Sequence, residues 1–162
     1  MTDSPNAGAQ ADPIRLEGER LLAVAPREGF DYIADPVNWP EYWPRFVRLD
    51  PASRWLRPGD RAGLTLRMLG REVDLEMTLG RREPGRLIEY TSMRRGLPAA
   101  RHSRHFAAAG DGLSYRIAVE YVPRPGWRGV LDRTVVRRAI ERTIAETLDS
   151  LGRRFAAHPR TS

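Results

Sequence analysis

The chain has 162 residues, no cysteine, 41% hydrophobic and 30% charged residues, and a formal net charge of +6. This composition predicts a single globular domain with a hydrophobic core, and it excludes disulfides, thiolate catalysis and cysteine-based metal sites. There is no apolar run long enough to span a membrane, and the first residues lack the basic start and apolar centre of a secretory signal. We therefore expect a cytoplasmic protein without stable membrane insertion.

The positive charge does not by itself indicate a nucleic-acid partner. All 27 basic residues are arginines, and they are dispersed among aspartates and glutamates along the chain. A nucleic-acid-binding protein usually collects its basic charge on one face. We therefore expect no nucleic-acid partner.

The N-terminal part of the chain predicts one strand followed by two short helices. Residues 14–24 alternate as a strand does. Pro26 suits the first position of a helix, where its fixed φ and missing N–H cost nothing. Asp35 can then accept a hydrogen bond from a free N–H of the next turn. That turn covers residues 37–44, is rich in aromatic side chains and ends at Pro44.

From residue 46 the hydrophobic period changes to two, which predicts strands. Residues 72–79 alternate most clearly, with Val73, Leu75, Met77 and Leu79 on one face and charged residues on the other. Short turns between consecutive strands indicate an antiparallel meander. The predicted strands cover residues 46–55, 62–69, 72–79, 86–94, 102–108 and 113–122.

Residues 128–157 predict one long C-terminal helix, because apolar or small residues recur at helical spacing. A curved antiparallel sheet wrapped around this helix would bury the apolar faces of both. The predicted fold class is therefore α+β. The expected buried face of the helix consists of Leu131, Val135, Val136, Ile140, Thr143, Ile144, Thr147, Leu148, Leu151 and Phe155.

The order of these elements, together with particular residues, resembles the SRPBCC or START-like helix-grip superfamily, in its polyketide cyclase/dehydrase-like branch. The superfamily also includes START lipid-transfer domains and the birch pollen allergen family. The resemblance covers about residues 14–157. It is carried by Ala25, Pro26, Phe30, Tyr32, Ile33, Asp35, Pro36, Trp39, Pro40, Tyr42, Trp43 and Pro44, and by the Gly110-Asp111-Gly112 turn before Ser114 and Tyr115.

The resemblance implies a helix-grip fold, in which a curved sheet of six or seven strands wraps around the C-terminal helix. One ligand-binding domain, residues 14–158, would lie between disordered tails at 1–13 and 159–162. The space between sheet and helix would bind a hydrophobic or amphipathic small molecule, with no cofactor and no metal. The expected ligand-binding residues are Leu66, Met68, Leu75, Met77, Tyr90, His102, Arg104, Tyr115, Ile117, Trp127, Leu131 and Val135.

His102 and Arg104 are the best candidates for chemistry in such a cavity. His102 and His105 are three positions apart on one strand, so they lie on opposite faces. If Phe106 points inward, His102 and Arg104 do too, and His102 becomes the acid/base candidate and Arg104 the partner of an anionic ligand. If that end of the strand is exposed to solvent, both are inert. Tyr90 is the second catalytic candidate, as a general acid.

Other candidates have a structural and a functional interpretation. Trp39, Tyr42 and Trp43 would anchor the short helices to the sheet, and we favour this role over contact with ligand. Met68 and Met77 are favoured as core residues, although methionine also suits a pocket wall. Trp127, flanked by glycines and a proline, is equally compatible with a mobile lid and with a hydrophobic staple at the start of the helix.

Three functions follow from the sequence, in decreasing order of support. The first is a binding or carrier protein for an apolar molecule with a polar or acidic end. The second is a polyketide cyclase, aromatase or dehydrase acting in the same cavity. The third is a regulatory or membrane-surface partner that uses the arginine-rich helix face. The sequence leaves a homodimer open.

Overall fold

A computed structural model of the chain describes residues 11–68 and 70–156. One sheet contains seven antiparallel strands in the order β1-β7-β6-β5-β4-β3-β2. The strands are β1 Ile14–Leu22, β2 Phe46–Leu49, β3 Arg61–Met68, β4 Arg71–Glu83, β5 Leu87–Met93, β6 Ala100–Ala109 and β7 Gly112–Tyr121. The helices are α1 Pro26–Ala34, α2 Trp39–Tyr42, α3 Trp127–Leu131 and α4 Arg137–Ala156.

This architecture confirms the predicted α+β helix-grip fold. A 3₁₀ turn, Pro36–Asn38, joins α1 to α2, and a π-helical turn, Asp132–Val136, joins α3 to α4. No helix of the described residues is long and apolar enough to cross a membrane. The predicted disordered tails lie largely outside the described residues.

Two strand boundaries differ from the prediction by more than two residues. Strand β2 ends at Leu49 rather than at residue 55, because Asp50 begins a turn in which its carboxylate accepts a hydrogen bond from Ala52 N at 2.8 Å. Strand β4 extends to Glu83 through an irregularity in its pairing with β5 between Leu79 and Arg81. A bulge of this kind interrupts the alternation from which a strand's end is predicted.

The two short helices are fixed by the residues predicted for them. Pro26 opens α1, and Asp35 Oδ1 accepts a hydrogen bond from Val37 N at 3.0 Å. Trp39 Nε1 and Tyr42 Oη both donate to the carbonyl of Ile33, at 3.3 and 2.8 Å. These buried aromatic side chains therefore anchor α2 to α1, as expected.

Helix α4 packs mainly on β1, and two glycines permit the close approach. A Cβ atom at Gly18 would lie 2.7 Å from Ile144 Cγ2, and one at Gly152 would lie 2.3 Å from Arg20 Nε. The inner face of the C-terminal half of the helix is buried, whereas Val136 and Ile140 near the start of the helix are only partly buried.

The start of the long helix departs from the predicted buried face. Leu131 and Val135 are 41% and 51% exposed, whereas Asp132 is fully buried. The π-helical turn inserts an extra residue into this stretch, so the face that points inward changes there. The prediction that Leu131 and Val135 continue the buried stripe is therefore wrong.

Asp132 is held in the interior by Arg124. Its carboxylate accepts hydrogen bonds from Arg124 N, Nε and Nη2 at 2.8, 3.0 and 2.7 Å, and its carbonyl accepts one from Tyr121 Oη at 2.6 Å. The hydrogen-bonded guanidinium of Arg124 lowers the pKa of this carboxyl from its usual value, although burial opposes the effect. Arg124 also donates to the carbonyl of Gly96, so it joins the β5–β6 loop to the start of the helix.

Candidate functional site

The register of β6 settles which side chains face the interior. Phe106 is buried and lies opposite Tyr115 of β7. His102 and Arg104 share the parity of Phe106 and therefore lie on the same, inner face. His105 lies on the other face.

Arg104 is the centre of the interior polar cluster. The residue is only 5% exposed. Its Nη1 and Nη2 donate to Tyr42 Oη at 3.2 Å and to Tyr90 Oη at 3.1 Å. Its guanidinium carbon lies 6.0, 5.1 and 5.3 Å from the ring centroids of Trp39, Trp43 and Tyr90. Phenol hydroxyls and aromatic faces surround the charge, and no carboxylate of the described residues pairs with it.

The cluster has more hydrogen-bond donors than acceptors. Arg104 Nε, Tyr115 Oη and Trp43 Nε1 are buried and lack a partner among the described residues. Tyr90 Oη accepts from Arg104, and no described group accepts its own proton. Buried polar groups in proteins are almost always hydrogen-bonded. A bound oxygen acceptor would supply what these donors lack.

The protonation of the cluster follows from its burial. Burial raises the pKa of Tyr42 to about 12, although the charge of Arg104 opposes the effect. Burial also raises the pKa of Tyr115. The guanidinium remains charged. At neutral pH Tyr42 and Tyr115 are therefore protonated beside the cation.

His102 lies beside this cluster as a neutral ring. Its imidazole stacks on Tyr90 with centroids 4.5 Å apart and planes 4° from parallel, and its Nε2 is 2.7 Å from Ser92 Oγ. Burial, and next the charge of Arg104, lower the pKa of His102 to about 3. A general base works best when its pKa is near the working pH. The surroundings of His102 suit a hydrogen-bonding group better than a base.

The structure brings only part of the predicted set together. Tyr90, His102, Arg104 and Tyr115 form one cluster, and Trp127 lies on the surface with 70% of its area exposed. Leu131 and Val135 are exposed on the same segment. Of the other predicted positions, Leu66 and Leu75 are partly buried, Met77 and Ile117 are buried, and the side chain of Met68 lies outside the described part of the structure.

Four members of the cluster were not on the predicted list. Trp39, Tyr42 and Trp43 were expected only to anchor the short helices, yet they also contact Arg104. Ser92 was not singled out, although it shares the strand parity of Tyr90. That parity is the one sequence signal that could have found it.

Some inner-face side chains of the sheet and of the long helix are only partly buried. They are Leu66, Leu75 and His102 on the sheet and Val136 and Ile140 on the helix, and the four apolar ones pack against the hydrophobic core. Two depressions, about 580 Å³ beside α1 and about 330 Å³ between β1 and α4, are not lined by the Arg104 cluster. Neither of them is lined by any of the predicted ligand-binding residues.

Comparison with known proteins agrees with the fold. A family described as polyketide cyclase / dehydrase and lipid transport matches residues 13–156. The chain belongs to this family. The resemblance inferred from the sequence is thereby confirmed, and membership of the family supports a role in either hydrophobic-ligand binding or cyclisation. No curated protein matches the sequence.

Solved structures show the same fold at low sequence identity. Zhui aromatase/cyclase from Streptomyces sp. R1128 superposes with a TM-score of 0.77 at 12% identity, covering 93% of this chain and 98% of that one. The di-domain ARO/CYC BexL from the BE-7585A biosynthetic pathway gives 0.75 at 17% identity, over 91% of this chain and 51% of that one. Ara h 8.0201 gives 0.70 at 13% identity, over 91% of this chain and all of the other. Sequence identities this low show only that these proteins share the fold of this chain.

Proposed function

We propose that the protein binds an amphipathic small molecule whose oxygen-bearing end, a carboxylate, enolate or carbonyl, is held by Arg104. The apolar part would lie between the sheet and the long helix, against the partly buried side chains of Leu66, Leu75 and Ile140. The observation that carries this proposal is a buried guanidinium without a carboxylate partner, among donors that lack acceptors.

The energetic argument favours an anionic or strongly polar ligand end. A buried charge is costly unless it is paired and hydrogen-bonded. Arg104 is bonded at two of its three nitrogens, both times to a tyrosine hydroxyl rather than to a carboxylate. An oxyanion would accept charge-assisted hydrogen bonds, which are about twice as strong as neutral ones.

Native mass spectrometry of the purified protein tests the proposal. We expect a copurifying species that is released on denaturation and carries a long apolar part with an acidic or oxo group. Arg104→Met should release it, and Arg101→Met, on the same strand but exposed, should retain it. A wild-type protein free of any such species, even after incubation with a mixed lipid extract, would contradict the proposal.

The second candidate is an enzyme of the polyketide cyclase, aromatase or dehydrase type. The observation that favours it is the pair of phenol hydroxyls, Tyr90 and Tyr115, in the cluster around a fixed cation. Such preorganised donors stabilise an enolate as it forms. The low pKa of His102 weighs against it, because no group in the cluster is suited to take the first proton.

A turnover assay separates the two functions. Conversion of a poly-β-ketone substrate that disappears in His102→Ala and Tyr90→Phe supports the enzyme. Tight binding of the same substrate without product supports the carrier. The cytoplasmic location remains a prediction from the sequence, which leaves a homodimer open.

A further inference from the structure

Helix α3 and the π-helical turn after it expose apolar side chains where a surface helix normally presents polar ones. Trp127, Val130, Leu131 and Val135, which we call the outward stripe, are 70%, 61%, 41% and 51% exposed. The described part of the chain has nine exposed large hydrophobic residues, and four of them belong to this stripe. Gly129 and Asp132 point the other way and are buried.

The stripe is bordered by positive charge. Five arginines lie between residues 122 and 140, and the one acidic residue there, Asp132, is buried and paired with Arg124. Arg128 and Arg133 flank the stripe in the same helical turns. Both are exposed, and neither pairs with a carboxylate of the described residues.

We propose that the outward stripe docks the protein on the surface of an anionic lipid bilayer. The negative headgroups of such a surface would pair with the arginines. The apolar region beneath the headgroups would receive the apolar side chains between the arginines. Tryptophan favours this boundary because its ring is apolar and its N–H is polar. The stripe covers only about two turns, so binding is peripheral and reversible.

A bilayer fits better than a nucleic acid. A nucleic acid would engage the arginines through its phosphates. It would leave Val130, Leu131 and Val135 in water, because it offers no apolar phase. Their exposure is therefore the observation that selects a lipid surface.

Trp127 provides a direct probe of docking. The other three tryptophans, Trp39, Trp43 and Trp55, are 0%, 9% and 3% exposed. Iodide quenching therefore reports almost entirely on Trp127. We expect mixed vesicles of phosphatidylcholine and phosphatidylserine to shift the emission to the blue and to protect it from iodide. High salt should reverse both effects, because it screens the charges.

Variants with matched controls decide the proposal. In vesicle co-sedimentation, Trp127→Ser should abolish binding and Arg128→Gln should weaken it about fivefold. Leu56→Ser, at a residue also 70% exposed, and Arg101→Gln should bind like the wild type. Failure to bind mixed vesicles, equal binding to pure phosphatidylcholine, or an equal loss in Leu56→Ser would overturn the proposal. So would binding of duplex DNA or an acidic peptide that Trp127→Ser weakens while vesicles do not bind.

Discussion

Arg104 is a charge that the interior of the protein surrounds with neutral groups. Replacing such a residue by an apolar one of similar length removes the cost of burying a charge, and this often leaves stability unchanged or raises it. A residue kept at such a cost is more readily explained by a ligand than by the fold.

The first prediction follows from that cost. We expect the free energy of unfolding of Arg104→Met to lie within about 1 kcal/mol of the wild type in urea denaturation, while binding of an acidic ligand weakens at least tenfold. Arg101→Met, an exposed change on the same strand, should alter neither. A loss of several kcal/mol in Arg104→Met would show that the guanidinium holds the core together.

The second prediction concerns His102 and acid stability. The unfolded chain takes up a proton on this histidine near pH 6.5, whereas the folded protein resists protonation until about pH 3. The folded state therefore loses stability as the pH falls from 6.5 towards 3, by up to about 1.4 kcal/mol per pH unit.

Denaturation of the wild type and of His102→Gln between pH 3 and 8 measures this effect. The two stability curves should run parallel above pH 6.5 and diverge below it, with the wild type falling more steeply. Parallel curves over the whole range would mean that His102 is protonated as easily in the folded state as in the unfolded one.

At the scale of elements, the start of the long helix shows a limit to predicting buried positions from the spacing of apolar residues. The apolar spacing placed Ile144, Leu148 and Leu151 on the buried face, and they are buried. The same spacing failed for Leu131 and Val135, because a π-helical turn depends on Arg124 and Tyr121 holding Asp132 inside. Such a tertiary contact leaves no periodic trace in the sequence.

The third prediction tests that contact. Removing one partner of a buried ion pair leaves the other charge uncompensated, so Asp132→Asn should cost about 3 kcal/mol. Asp149→Asn breaks the exposed pair with Arg20 and should cost less than about 1 kcal/mol. Equal losses in urea denaturation would show that burial of Asp132 contributes nothing.

The fourth prediction concerns the contact between β1 and α4. Gly18→Val places side-chain atoms where Ile144 and Leu148 already lie, and we expect a loss of about 2 kcal/mol from overpacking. Gly80→Ala serves as the control, because its Cβ would make only an ordinary 3.5 Å contact. Thermal unfolding compares them, and equal melting temperatures would argue that the helix can move away from the strand at little cost.

At the scale of the whole molecule, the fold was predictable and the site was predictable only in part. Alternation in the strands, the Pro26 to Pro44 segment and the long helix were enough for the helix-grip architecture. Strand parity also placed His102 with Arg104. The tyrosines and tryptophans around Arg104 come from α2, β5 and β7, and no local pattern records which of them meet.

The central claim is that Arg104 holds the oxygen-bearing end of an amphipathic ligand. Calorimetric titration with a long-chain carboxylic acid and its methyl ester, into the wild type and Arg104→Met, tests it most directly. We predict that the wild type prefers the acid at least tenfold, as a charge-assisted hydrogen bond implies, and that Arg104→Met binds both equally. A wild type that binds neither compound, or an Arg104→Met variant that still prefers the acid, would contradict the claim.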